Sequence, residues 1–267
     1  MSRVSILGVP HDANSSFMRG PAEAPARIRP ELFSDAYSLW TETGVDLGAA
    51  GTFVDHGDVS FDATQDDWDR ITQEVGRALD AGHPLVSLGG DHAITYPILR
   101  AVRRRQPALT IVHIDAHPDI YDRYQNNPRS HASPFARIME ETLADPLIQV
   151  GLRTISGEHR QQFLRFGVEA HGIGHGTDVE LDLRTPVYLS VDIDALDPAF
   201  APGVSHREPG GLSTRQVIDL IHRIDQPIVA ADVVEFNPRC DISNQTALVA
   251  AKLVKEIAGV MLRAAPR

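Results

Sequence analysis

The chain has a single cysteine, Cys240, so no intrachain disulfide can form and nothing in its folding depends on an oxidising compartment. Basic residues are in the minority, 25 Lys and Arg against 36 Asp and Glu, for a net charge of −11. The largest basic block is Arg103-Arg104-Arg105. Three arginines after an apolar stretch decorate the carbonyl end of a helix and are too few for a nucleic-acid or anionic-membrane surface. No run of about 18 apolar residues is present to span a bilayer. No internal repeat or low-complexity tract is found. The N-terminus passes within a few residues into Val4-Ser5-Ile6-Leu7-Gly8-Val9, which reads as a strand and not as a cleavable leader. We therefore expect a soluble, cytoplasmic protein with neither nucleic acid nor membrane as partner.

With 42% hydrophobic residues in 267, the chain can bury a sizeable core, and one domain over residues 1–267 is the expectation. Short apolar, β-branched runs recur at Val4–Val9, Pro84–Leu88, Leu109–Ile114, Leu147–Val150, Val187–Ile193 and Ile228–Val234. Segments of helical periodicity separate them. That alternation predicts an α/β fold of three layers, α/β/α, around a mostly parallel central sheet. Thr64 and Asp67 predict a helix start ahead of Trp68, Ile71, Val75 and Leu79, with Gly82 beyond its end. Ser213 and Gln216 predict a capping box ahead of Val217, Ile218, Leu220, Ile221 and Ile224. Pro97 fits the first turn of a helix running to about Gln106, and Leu248–Leu262 reads as a closing helix. Asn14–Pro30 and Ala199–Gly211, rich in Pro, Gly and Ser, read as surface loops.

Four acidic or histidine clusters fall at the ends of predicted strands: Gly89-Gly90-Asp91-His92, Asp115-Ala116-His117-Pro118-Asp119, Asp192-Ile193-Asp194 and Asp232-Val233-Val234-Glu235. In an open parallel sheet, ligands bind beyond the carboxyl ends of the strands, where loops distant in sequence meet. The spacing of two in Asp115/His117 and in Asp192/Asp194 puts each pair on one face of its strand. Taken singly, a strand-end Asp usually caps a helix and a strand His is usually a satisfied core residue, the reading we give His113. Taken together, four aspartates buried at one sheet edge need compensating charge, which two divalent ions supply. Carboxylate and imidazole donors without thiolates suit Mn²⁺, with Ni²⁺, Co²⁺, Fe²⁺ and Zn²⁺ as poorer fits.

The motifs GGDH, DAHPD, SHASPF, SVDIDALDP and DVVEFNP, in this order, resemble the signature of the arginase and agmatinase (ureohydrolase) family, and the resemblance is strongest to plant-type arginases. It runs from Leu7 to the C-terminal helix. It implies an arginase-like domain in which His92, Asp115, Asp119 and Asp192 hold one metal ion and Asp115, His117, Asp192 and Asp194 hold a second. It further implies that Glu235 pairs with a guanidinium, that Asp119 carries a proton to the leaving amine, and that His131 relays protons to bulk water. Members resembling this chain are commonly trimers or hexamers, so a homo-oligomer is expected.

The implied reaction splits a small guanidino compound into urea and an amine, with two Mn²⁺ per subunit and Ni²⁺ or Co²⁺ as alternatives. L-arginine is the first choice of substrate and agmatine the second. Guanidinobutyrate, guanidine and formimidoylglutamate present the same planar carbon. Animal-type arginases place an asparagine two residues after the DAHxD motif, where this chain has Tyr121. The residues expected to touch the substrate tail are therefore Tyr121, Arg123, Asn126, Asn127, Arg129 and Ser130. A metal-dependent deacetylase and an inactive metal-binding scaffold are the readings from other classes. His11, His171, His175 and His206 are left unassigned, and the Gly-rich His171–His175 stretch reads as a turn.

Overall fold

Strands buried on both faces need no polar alternation, and six of the apolar runs behave this way. The computed structural model describes residues 3–263 other than residue 37 and residues 176–178. Its strands are β1 (Val4–Gly8), β2 (Phe53–Asp58), β3 (Leu85–Leu88), β4 (Thr110–Ile114), β5 (Leu147–Leu152), β6 (Glu169–Gly172), β7 (Val187–Asp192) and β8 (Ile228–Val234). They form one sheet in the order β2-β1-β3-β8-β7-β4-β5-β6, and every pairing is parallel.

The helices are α1 (Ala24–Leu32), α2 (Asp67–Leu79), α3 (Thr95–Arg103), α4 (Pro134–Glu140), α5 (Gly157–Phe166), α6 (Thr214–Arg223) and α7 (Gln245–Arg263). Successive strand residues feed opposite cores, as the period of two requires. Val86, Leu88, Val112 and Ile114 pack with α1, α6 and α7, whereas Leu85 and Ile111 pack with α2, α3 and α4. This is the expected three-layer α/β/α arrangement. The capping box of α6 is present: Ser213 Oγ accepts from the Gln216 N–H at 3.2 Å and Gln216 Oε1 accepts from the Ser213 N–H at 2.9 Å.

Several expectations are corrected. Asn14–Pro30 is not a loop throughout, because Pro21–Glu23 form a 3₁₀ turn that leads into α1. Pro25 lies in the first turn of α1, where its missing N–H costs nothing, and Ala24, Ile28 and Leu32 bury one side of it. The N-cap of α2 is Asp66, whose carboxylate accepts from the Trp68 N–H at 3.0 Å, while Thr64 is drawn to Asp62. Helix α3 stops at Arg103, short of Gln106. Helix α7 starts three residues before Leu248, at Gln245. In Ala199–Gly211 the inner part, residues 201–205, is buried. Gly172 closes β6, and Ile173–His175 follow as a 3₁₀ turn. Strands β2 and β6 were not expected: both are edge strands with one neighbour, so neither needs an apolar run to show in sequence.

What matters for function is that β3, β8, β7 and β4 are neighbours at the centre of the sheet. Their carboxyl ends carry His92, Glu235, Asp192/Asp194 and Asp115/His117/Asp119 respectively. Among the described residues, the Ser213 side chain hydrogen-bonds only within its own box, to Gln216, and to none of these residues, so Ser213→Ala is expected to cost about 1 kcal/mol and to lower the thermal midpoint by a few degrees without changing metal content. An unchanged midpoint would show that the cap contributes nothing.

Candidate metal centre

The turn after β3 is pressed against the N-terminal loop. A Cβ on Gly90 would lie 1.8 Å from the carbonyl oxygen of His11, so only glycine fits. The Gly90 carbonyl accepts from the Glu235 N–H at 2.9 Å, which locks the ends of β3 and β8 together. Asp91 turns outward to the same loop and accepts from the Asn14 N–H at 2.9 Å. Burial and the nearby Glu235 push its carboxyl up to about 6.

His92 is fully buried, and its Nδ1 lies 3.2 Å from Asp115 Oδ2, 3.0 Å from Asp119 Oδ2 and 3.1 Å from Asp192 Oδ2. Beside this group, His117 Nδ1 lies 3.1 Å from Asp194 Oδ2 and 3.5 Å from Asp115 Oδ1. In each set, His92/Asp115/Asp119/Asp192 and Asp115/His117/Asp194, one donor atom per residue falls within 4.8 Å of the others. Asp115 belongs to both. Asp119 and Glu235 hold left-handed backbone, φ 44° and 62°, a strained conformation for residues with a Cβ that is typical of functional positions.

The hydrogen bonds behind the cage set its protonation. Ser190 Oγ donates to Asp232 Oδ1 at 2.7 Å, so toward His92 Nε2, 3.0 Å away, it acts as acceptor. A proton of His92 is thereby held on Nε2, so that in the neutral ring the lone pair is on Nδ1, the atom that faces the cage. Asp232 also accepts from Thr95 Oγ1 at 2.7 Å and from the Tyr188 hydroxyl. His113 is a hydrogen-bonded core residue: Gln149 Nε2 donates to its Nδ1 at 2.9 Å and its Nε2 donates to Asp115 Oδ2 at 2.7 Å. Backbone N–H groups fix two further carboxylates, His117 on Asp115 at 2.6 Å and Asp194 on Asp192 at 2.7 Å.

The bare cage is electrostatically unbalanced. Burial, then repulsion from Asp194 and Asp115, pushes the Asp192 carboxyl well above the usual range. Burial opposes charge on the His92 ring, yet the Asp115, Asp119 and Asp192 carboxylates around it hold it well above an ordinary histidine. His92 Nδ1 and Asp194 Oδ1 are buried without hydrogen-bond partners. Two orphaned atoms, one on an imidazole and one on a carboxylate, within a cluster of carboxylate and imidazole donors fit hard or borderline divalent cations, the donor set that such ions take.

In front of the cage is a cavity of about 190 Å³, lined by His117, Asp119, Asp192, Asp194 and Glu235 on the acidic side and by Ser16, Tyr121, Tyr124, His131, Ala132, Thr154, His159 and His206 around it. Glu235 Oε1 accepts from the His92 N–H at 2.9 Å and lies 2.8 Å from His131 Nδ1. His131 is buried, and its Nε2 lies 2.8 Å from Ser16 Oγ. Burial lowers its pKa, but the Glu235 carboxylate outweighs this and raises it to about 9. Among the expected tail contacts, Tyr121 lines the cavity. Asn126, Asn127, Ser130, Arg123 and Arg129 do not. Asn126 is an exposed turn residue at φ 61°, Asn127 donates to Asn14, Ser130 Oγ accepts from the Ala132 N–H, and Arg129 pairs with Asp66. Sequence reading missed Ser16, Tyr124, Thr154, His159, Ser190 and His206. Of these only Ser190 carried a signal, a polar residue in an otherwise apolar strand two positions before Asp192.

A buried carboxylate and imidazole cage at the carboxyl edge of a parallel sheet defines a metal-centred α/β enzyme. The pattern of the arginase family matches residues 2–259, and the chain belongs to that family of metal-dependent hydrolases, which cleave C–N bonds in guanidino compounds. "Arginase 1, mitochondrial" from Arabidopsis thaliana is 46% identical over 95% of this chain and 80% of its own length. "Agmatinase" from Bacillus anthracis is 32% identical over 96% and 91%. Among solved structures, "Arginase from Medicago truncatula" superposes with a TM-score of 0.92 at 40% identity, covering 97% of this chain and 87% of that one.

Ser190→Ala removes the acceptor that fixes the His92 tautomer while leaving both ligand sets in place. We expect metal affinity to fall about 10–100-fold, read by competition with a chelator. Equal affinity would show that the tautomer is set elsewhere.

Proposed function

We propose that the protein hydrolyses L-arginine to L-ornithine and urea, with His92, Asp115, Asp119 and Asp192 around one Mn²⁺ and Asp115, His117, Asp192 and Asp194 around a second. The observation that carries this reading is Glu235, a buried carboxylate on the cavity wall beside the cage. Its Oε1 is committed to His92 and His131, and Oε2 has no hydrogen-bond partner among the described residues. A guanidinium N–H can donate to Oε2, a charge-assisted hydrogen bond of the stronger kind. When bound, two divalent ions would lower the pKa of a coordinated water and so supply hydroxide at neutral pH.

The chain's own residues do the rest. Glu235 orients the guanidinium and balances its charge. Asp119, at the mouth of the cage, stands where a proton can be passed to the leaving amine. His131, charged beside Glu235 and linked to Ser16 on the N-terminal loop, is placed to exchange protons between the cavity and solvent. Tyr121 in the wall, together with the agmatinase relatives, favours agmatine as the second reading. Guanidinobutyrate, guanidine and formimidoylglutamate follow. Ni²⁺ or Co²⁺ in place of Mn²⁺, a cytoplasmic location, and assembly as a trimer or hexamer complete the proposal. Among the described residues, no helix is long and apolar enough to cross a membrane.

The test is urea release by the purified protein loaded with Mn²⁺, Ni²⁺ or Co²⁺, against L-arginine, agmatine, guanidinobutyrate and guanidine at matched concentration, with formamide release as the readout for formimidoylglutamate. L-arginine is expected to give the highest kcat/KM, and no urea from any compound with any metal would contradict the assignment. Glu235→Gln is expected to lower kcat/KM by about 10²–10³-fold and His131→Asn to lower kcat by about 10²-fold, both with metal content intact. Turnover unchanged by His131→Asn would remove that residue from the mechanism.

A further inference from the structure

One wall of the cavity is built on the first turn of α5, and it contains an unspent hydrogen-bond donor. Ser156 and His159 cap the helix reciprocally: Ser156 Oγ accepts from the His159 N–H at 3.2 Å, and His159 Nδ1 accepts from the Ser156 N–H at 3.1 Å. With Nδ1 used as an acceptor, the neutral imidazole carries its proton on Nε2. Burial holds the ring below the usual histidine range, so it is neutral at physiological pH. The residue is only 3% exposed, and Nε2 has no partner. The other polar groups beside it are engaged, since Thr154 Oγ1 donates to the Ala116 carbonyl at 3.1 Å and the Tyr121 hydroxyl donates to Ser156 Oγ at 3.4 Å. The His159 and Tyr121 rings are in contact, with centroids 4.1 Å apart and planes tilted by 52°.

A buried N–H without an acceptor is costly, and most such groups in native proteins meet a ligand or an ordered water. This one is a donor in a neutral ring, on the turn of a helix where the backbone dipole favours negative charge. An ammonium group gains nothing there, whereas a carboxylate does. The guanidino end of the substrate is committed to Glu235 and the cage, so the group that meets this wall belongs to the other end of the molecule.

We propose that His159 is a specificity-determining residue that donates from Nε2 to the α-carboxylate of the substrate, selecting a guanidino amino acid over its decarboxylated amine. This rests on the guanidino-hydrolase reading above. It replaces the asparagine-based recognition, absent at Tyr121, with a contact from a different loop.

The test is the ratio of kcat/KM for L-arginine over agmatine in the Mn²⁺-loaded protein and two variants. His159→Glu keeps the reciprocal cap, because glutamate at this helical position serves the same box, but puts a carboxylate where the donor was. The ratio is expected to fall at least roughly tenfold, through a higher KM for arginine. His159→Gln keeps both the cap and an N–H donor, and its ratio is expected to stay within about threefold of the wild type. A ratio unchanged by His159→Glu, an equal loss on both substrates, or a wild type that prefers agmatine would overturn the role of His159 while leaving the hydrolase reading standing. A wild type that releases urea from no guanidino compound would overturn both.

Discussion

Four aspartates and Glu235 converge at the carboxyl edge of four adjacent strands, with the imidazoles of His92, His117 and His131 beside them to offset part of their charge. Removing a carboxylate from water costs several kcal/mol even after the protein relaxes. Like charges this close cannot all remain ionised without a counter-ion, and burial together with repulsion from Asp194 and Asp115 drives Asp192 upward. Divalent cations resolve the conflict. The rest of the site can be understood as a means of keeping these groups in place while the cations are absent or exchanging.

That scaffolding is layered along the sheet. In β7 and β8, Ser190 and Asp232 are paired in register, so the chain Asp232–Ser190–His92 runs across two strands and determines which nitrogen of His92 faces the ions. In β4 and β5, His113 and Gln149 are likewise in register, and Gln149 also donates to the Pro118 carbonyl at 2.7 Å. A single cross-strand pair thus orients Asp115 and pins the loop that carries Asp119. Placing these polar pairs inside strands rather than on loops gives the cage its rigidity, and each hydrogen bond across the sheet orients one ligand.

Most of this arrangement was legible in the sequence because the relevant physics is local. Buried parallel strands announce themselves as apolar runs, and ligand-type residues just past such runs fall at one sheet edge, so Asp115/His117 and Asp192/Asp194 could be grouped before any coordinates. The expectation that each pair shares a strand face is corrected, because β4 ends at Ile114, β7 ends at Asp192 and Asp194 lies in the 3₁₀ turn that follows. The parts that were not legible depend on long-range contact. The edge strands β2 and β6 bury too little to leave a pattern. The prolines of α1 signalled a loop because Pro25 in a first turn and Pro25 in a coil look alike in sequence. Asn126, Asn127 and Ser130 follow the DAHPD motif closely but turn away into their own loop, whereas His159, forty residues after it, reaches the cavity. Distance along the chain carried no information about that.

The central claim is that the carboxylate cage exists to hold two divalent ions, and the most direct measurement is metal content per chain together with thermal stability before and after chelation. Our account predicts two equivalents of divalent metal in the reconstituted protein and a lower unfolding midpoint once they are removed, because ions bound only to the folded state stabilise it. Protein that binds no divalent metal on reconstitution and melts at the same temperature with and without chelator would contradict it.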